Sequence, residues 1–313
     1  MHDDFDFTKP QPPRPASPDG TDLTKATAPP EASAPFKPAN SQFYNPVVAA
    51  KLFQSAGKEE RFASGQQLFA EADKAKGGLF SRGSSRMYFI AQGDVALTIG
   101  AKPLDTVKKG EIVGEMAVIS ERPRSATATA KGDVVAYSFN STELQAALSK
   151  APEFALMLMS VMFDRIRFIA ARLAARKVTA GAGMRESPTF DPVLLQQFEA
   201  ALSRMAIVRY QAGASIMKEG QAGIYMYVVK EGRVVIAIRD KVVEVVNPGG
   251  TFGEMALVDQ SPRVASATAD IYSELLTVDR SSLLEAVKSQ PAFAMAMLKA
   301  VVERLRHMNS LLG

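Results

Sequence analysis

The sequence has no cysteine, no tryptophan and two histidines in 313 residues. Without cysteine there is no disulfide, no thiolate zinc site and no cysteine nucleophile. His2 and His307 stand near opposite ends of the chain. His307 reads as a solvated helix-end residue. No catalytic triad, metal-ligand cluster or Walker loop is present, so the motifs argue against an enzyme. No apolar run is long enough to span a bilayer. The first residues, Met1-His2-Asp3-Asp4-Phe5-Asp6, are acidic and lack the apolar centre of a signal peptide. The expectation is a cytoplasmic chain with no membrane partner. Charge of one sign is also scarce: 37 basic against 33 acidic residues, a net charge of +4. That balance describes a solvated surface with spare Lys and Arg, or at most a weak attraction for an acidic partner.

Proline is unevenly spread: half of the 18 prolines lie in residues 1–45, among Ala, Ser, Thr and Asp. Such a stretch buries too little apolar surface to offset its ordering entropy, so it reads as a disordered tail. It is either an inert tether or a docking peptide, with Asp3 to Phe7 as the candidate segment. Past it, Asn45-Pro46 reads as a capped helix start. Met87–Ile90 and Val95–Ile99 read as strands joined through Gly93-Asp94, and Val134–Phe139 as another. Ser141-Thr142-Glu143-Leu144 reads as a capping box. Pro152 to Phe154 then leads into a long apolar-periodic helix over about 155–176.

The chain repeats itself. Val113-Gly114-Glu115-Met116-Ala117-Val118, followed by Arg122-Pro123-Arg124-Ser125-Ala126-Thr127, returns as Phe252-Gly253-Glu254-Met255-Ala256-Leu257, followed by Ser261-Pro262-Arg263-Val264-Ala265-Ser266. An offset of 139 relates Glu115 to Glu254, Arg124 to Arg263, Tyr88 to Tyr227, Phe154 to Phe293, and Arg165-Ile166-Arg167 to Arg304-Leu305-Arg306. Upstream, Gly65 matches Gly213 at an offset of 148, so the first copy carries nine extra residues within Lys74–Arg86. They are a tolerated surface insertion or a partner-binding loop.

In each copy a Gly lets the backbone approach a ligand, and a short helix begins directly after it. The N–H groups at a helix start suit an anion. The Arg offers a fixed fork of donors for a phosphate, and the Glu an acceptor for a sugar hydroxyl. The competing reading pairs the Glu and the Arg with each other.

This stretch resembles the phosphate-binding cassette of the cyclic nucleotide-binding domain family, which includes bacterial catabolite activators and the regulatory subunits of protein kinase A. The family pattern runs F-G-E-[LIM]-A-[LV], a short gap, then P-R-[AST]-A-[ST]; Val113 replaces the usual aromatic in the first copy. The resemblance implies a mainly β fold with helices: two tandem antiparallel β-rolls, jelly-roll-like, each followed by a long C-terminal helix. It implies residues 1–45 as tail, 46–178 as the first domain, 179–190 as linker and 191–313 as the second. Carried over by motif, Arg124 and Arg263 bind the phosphate, and Glu115 and Glu254 accept from the ribose 2′-hydroxyl. Gly114 and Gly253 permit close approach, Ala126 and Ala265 offer backbone N–H groups, and Met116, Ala117, Met255 and Ala256 complete the two cassettes.

The residue after the Arg reads the base in the family. It is Ser125 in the first copy and Val264 in the second, and Val cannot hydrogen-bond a guanine. The implied ligand is therefore cAMP, with cGMP admitted at the first site and no cofactor besides. Two readings stand for Met162, Phe163, Ile166, Val301, Val302 and Leu305: covers for the base, or helix-face core. Two also stand for the apolar stripe of the first long helix: a homodimer seam, or packing on its own β-roll.

The inhibitor segment of kinase regulatory subunits is not matched; Arg14-Pro15-Ala16-Ser17 has a single Arg. No room is seen for the helix-turn-helix of a transcription activator, so specific DNA binding is not expected. The remaining output is a conformational change delivered to an effector protein. The alternative is a scaffold that keeps both β-rolls and has lost nucleotide binding.

Overall fold

The computed structural model describes residues 44–72, 85–175, 188–202 and 206–310. The tail before Tyr44, the nine-residue insertion and most of the linker lie outside the described residues.

Each repeat builds the same series of elements. The first has α1 (Pro46–Ala56), β1 (Lys58–Phe62), β2 (Gln67–Phe69), β3 (Met87–Gln92), β4 (Val95–Ile99), β5 (Lys102–Val107), β6 (Ile112–Val113), α2 (Glu115–Ser120), β7 (Thr127–Ala130), β8 (Val134–Phe139), α3 (Ser141–Lys150) and α4 (Glu153–Ala175). The second has α5 (Pro192–Ala201), β9 (Ala206–Tyr210), β10 (Ser215–Met217), β11 (Met226–Glu231), β12 (Val234–Ile238), β13 (Lys241–Val246), β14 (Thr251–Phe252), α6 (Glu254–Asp259), β15 (Ser266–Ala269), β16 (Ser273–Val278), α7 (Arg280–Ser289) and α8 (Ala292–Ser310).

The strands of each repeat form two four-stranded antiparallel sheets. Their orders are β1-β8-β3-β6 and β2-β7-β4-β5 in the first, and β9-β16-β11-β14 and β10-β15-β12-β13 in the second. Alternation explains why the sheets face each other. Val134, Ala136 and Ser138 of β8 are buried, with half-buried residues between them. Each roll thus encloses its own apolar cluster, around Ile90, Val95 and Ala136 in the first and Val229, Val234 and Leu275 in the second.

A third and larger core lies outside the rolls and joins the domains. It is continuous from Phe53, Phe139 and Phe154 through Met159 and Phe163 to Phe293, Met297 and Val301. α4 and α8 pack along each other within it. The apolar stripe on α4 thus packs on α8 of the other repeat, a partner that neither reading of the stripe names. Met162, Phe163, Val301, Val302 and Leu305 are buried in this core, with Ile166 packed against it, so these positions are helix-face core.

Two local details position the sites. Asn45 caps α1, accepting from the N–H groups of Val47 and Val48. Asn140, one residue before the expected Ser141, is the cap of α3. Its side chain accepts from Glu143 N–H, and the Glu143 carboxylate accepts from Asn140 N–H. The amide oxygen of Asn140 reaches the third helical N–H, which leaves Ser141 as the first helical residue. The chain bends by 117° between α3 and α4, at the expected Pro152–Phe154 segment. Among the described residues no single helix is long and apolar enough to cross a membrane.

Candidate functional site

The two cassettes share one geometry. Gly114 and Gly253 stand at the start of α2 and α6 with φ of +83° and +76°, a left-handed backbone that Gly adopts without strain. There is no room for more: a Cβ on Gly114 would lie 2.7 Å from Arg124 Nη1 and 3.0 Å from the Phe69 ring.

Arg124 and Arg263 are almost fully buried, at 7% and 5% exposure. Neither is paired with its cassette Glu. Arg124 donates from Nη1 to Gly114 O (2.9 Å) and from Nη2 to Arg86 O (2.7 Å). Arg263 donates to Gly253 O (2.7 Å) and Tyr225 O (2.6 Å). An aromatic ring backs each cation, Phe69 at 4.1 Å from Arg124 and Tyr227 at 5.8 Å from Arg263. Burial pushes the Arg263 guanidinium below its usual range, with Tyr227 and Glu254 pulling the other way. A cation held in place by neutral carbonyls and taken out of water favours an arriving anion.

Glu115 and Glu254 are as deeply buried, and each is ion-paired with an Arg of the long helix of its own domain, Arg165 on α4 and Arg304 on α8. Arg304 also reaches Glu244 (3.1 Å) and Thr251 O (3.0 Å). Sequence reasoning assigned no role to Arg165 or Arg304. The signal was present in the Arg-x-Arg repeat at the 139-residue offset, but nothing in a linear sequence says which carboxylate a distant helix meets.

Met116 and Met255 are half-buried, Ala117, Ala126, Ala256 and Ala265 are buried, and Ser125 and Val264 are exposed beside the cassette Arg of each copy. Site residues of each copy thus converge within one domain, and the two sites remain separate. They also differ. Tyr44, just before α1, is buried next to the first site. It donates to Gly110 O (2.7 Å) and lines a small cavity with Ile112, Glu115, Leu158, Val161 and Met162. At the second site Gly223 packs its backbone directly on the Arg263 guanidinium, next to the exposed Ile224. Among the described residues no group of His, Asp and Glu is arranged to hold a metal ion.

The family model for the cyclic nucleotide-binding domain matches residues 59–151 and 207–290, and the chain belongs to that family, with two tandem copies. A cGMP-dependent protein kinase of Toxoplasma gondii is 26% identical over 200 residues, which are 64% of this chain and 18% of that protein. The cyclic AMP receptor protein of Thermus thermophilus is 30% identical over 128 residues, 39% of this chain and 59% of that one. Among solved structures, the regulatory domain of Toxoplasma gondii protein kinase A, crystallised with cAMP, is 18% identical. That match covers 82% of this chain and 98% of that one, with a TM-score of 0.28. This chain spans less than a fifth of the length of the cGMP-dependent kinase of Toxoplasma gondii.

Proposed function

We propose that the chain is a non-catalytic receptor that takes cAMP in both domains and relays its binding as a conformational change to an effector protein. The observation that carries this reading is the duplicated and buried cassette Arg, aimed by two carbonyls in each copy. In this reading Arg124 and Arg263 take the cyclic phosphate. Glu115 and Glu254 take the ribose hydroxyl, and the Glu is the point at which ligand meets the long helix. Ribose at Glu115 changes the environment of Arg165, and so bears on α4 beyond the 117° bend. The shift of that helix is limited by the ligand's differential affinity for its two positions. Val264 at the rim of the second site offers a base only apolar contact, which supports adenine there. Ser125 leaves the first site open to cGMP as well.

The test is isothermal titration of the full chain with cAMP and with cGMP, beside Arg124→Ala and Arg263→Ala. The expected result is two cAMP sites, one lost with each Arg, each loss costing about 2–5 kcal/mol, roughly 30-fold to several thousand-fold in affinity. A folded chain that binds neither nucleotide would leave the scaffold reading in its place.

A further inference from the structure

Each long helix carries two arginines two positions apart, Arg165 and Arg167 on α4, and Arg304 and Arg306 on α8. Two positions correspond to about 200° around a helix, so the members of each pair face opposite ways. Arg165 and Arg304 face the Glu of their own domain. Arg167 and Arg306 face the cassette of the other domain.

The two outward contacts are unequal. Arg167 is ion-paired with Asp259, the last residue of α6, and donates to Ser261 Oγ (3.0 Å). Asp259 is buried and in turn accepts from Ser261 N–H (3.1 Å) and Ser261 Oγ–H (2.6 Å). Domain one thus holds the turn between the ribose Glu254 and the phosphate Arg263. In the reverse direction Arg306 donates to Pro123 O (3.0 Å), and the exposed Arg122 pairs with Glu303 (3.0 Å). The residue equivalent to Asp259 is Ser120, whose hydroxyl donates to Met116 O (2.6 Å) and which carries no carboxylate to pair with an Arg.

We infer that the second nucleotide site is completed across the domain boundary. Arg167 of the first domain is a positioning residue for the second cassette, and fixes the Asp259–Ser261 turn that sets Glu254 and Arg263 apart. This rests on the nucleotide-receptor reading. Because Arg165 and Arg167 share one helix, ligand at Glu115 and the grip on Asp259 are mechanically joined.

The experiment uses the full chain. In an Arg124→Ala background, which isolates the second site, Arg167→Gln and Asp259→Asn are each expected to weaken cAMP binding about tenfold. Their combination is expected to be no worse than either alone, and Arg167→Lys to retain part of the affinity. In an Arg263→Ala background the same substitutions leave the first site within about twofold. Equal losses at both sites, or no loss at the second, overturn the inference. A measurement without ligand separates this from the receptor reading. Arg167→Gln is expected to speed amide hydrogen exchange over residues 254–263 and not over 115–124. An unchanged exchange rate over 254–263 overturns the positioning role. Failure of the parent chain to bind any cyclic nucleotide overturns the receptor reading itself.

Discussion

Arg165 on α4 closes an ion pair with Glu115 of the first cassette, fifty residues away, and Arg304 repeats it with Glu254 in the second. The acceptor assigned to ribose is therefore also the anchor of the long helix. Both partners are mostly withdrawn from water, with the Arg165 and Glu115 side chains 18% and 7% exposed. Removing one partner leaves a buried charge. Arg165→Gln is expected to lower stability by about 2–3 kcal/mol, somewhat less than the ~3–5 kcal/mol of a fully buried pair. The double substitution with Glu115→Gln should recover part of that loss. Urea unfolding of the two singles and the double closes the cycle, and strict additivity would show that the pair contributes nothing.

Gly223 is a sharp probe of the second site. A Cβ there would fall 2.2 Å from Arg263 Nε and 2.3 Å from Cζ. The guanidinium is pinned by Gly253 O and Tyr225 O, so it cannot yield without losing its aim. Gly223→Ala is expected to weaken cAMP binding at the second site about tenfold, on the order of 1.4 kcal/mol. The first site and the melting temperature should hardly change. Isothermal titration of this variant with the first site intact reads both sites, and a thermal melt reads its stability.

Glu111, close behind the first site, predicts a pH dependence. Burial pushes its carboxyl above the usual range. The Lys108 N–H bond opposes this, Asp105 adds to it, and the charges of Arg165 and Lys108 oppose it. A raised carboxylate means that the folded state holds the proton more tightly than the unfolded one. Its contribution is complete below the unfolded glutamate value and is lost as the pH rises through the folded one. Glu111→Gln keeps an acceptor for Lys108 N–H and carries no charge. It is therefore expected to melt higher than the parent at pH 7, with the two curves converging below about pH 4. A variant that melts lower at pH 7 would reverse the sign and contradict the argument.

Phe198 of α5 is fully buried between Phe190 and Phe293, with ring centroids at 4.7 and 5.0 Å, and Phe293 begins α8. Phe53 of α1 holds the matching place against Phe139 and Phe154. The helix preceding each roll thus packs on the residue where the long helix begins. Phe198→Ala removes a whole ring from a closed core and is expected to cost about 3–5 kcal/mol. Chemical denaturation measures the loss, and a cost under about 1 kcal/mol would mean that the site is not the packed core described here.

Much of this was legible in the linear text because the relevant signals are local or repeated. Gly114-Glu115 and Gly253-Glu254 announce a left-handed residue followed by a short helix, since only Gly takes that backbone without strain. The strands read at 87–90, 95–99 and 134–139 follow from short apolar runs bounded by Gly, Ser and Asp, with the first running on to Gln92, and the long helices from apolar periodicity after Pro152 and Pro291. The 139-residue offset made the two domains equivalent before any fold was known. The cap at Asn140 escaped by one residue because Ser, Asn and Thr in succession all suit that role.

The sequence by itself determined the repeat, the two cassette turns and the strands and helices around them, because backbone conformation and motif chemistry are set within a few residues, and the β-rolls followed from the family resemblance. Only the tertiary structure decided that α4 and α8 close on each other, that Arg165 and Arg304 take the two glutamates, and that Arg167 crosses to Asp259. The three ion pairs join residues 50 to 92 positions apart, and the two helices are farther apart still in the sequence. An arginine's charge says what it needs, but the packing of the shared apolar core selects which carboxylate is brought within reach.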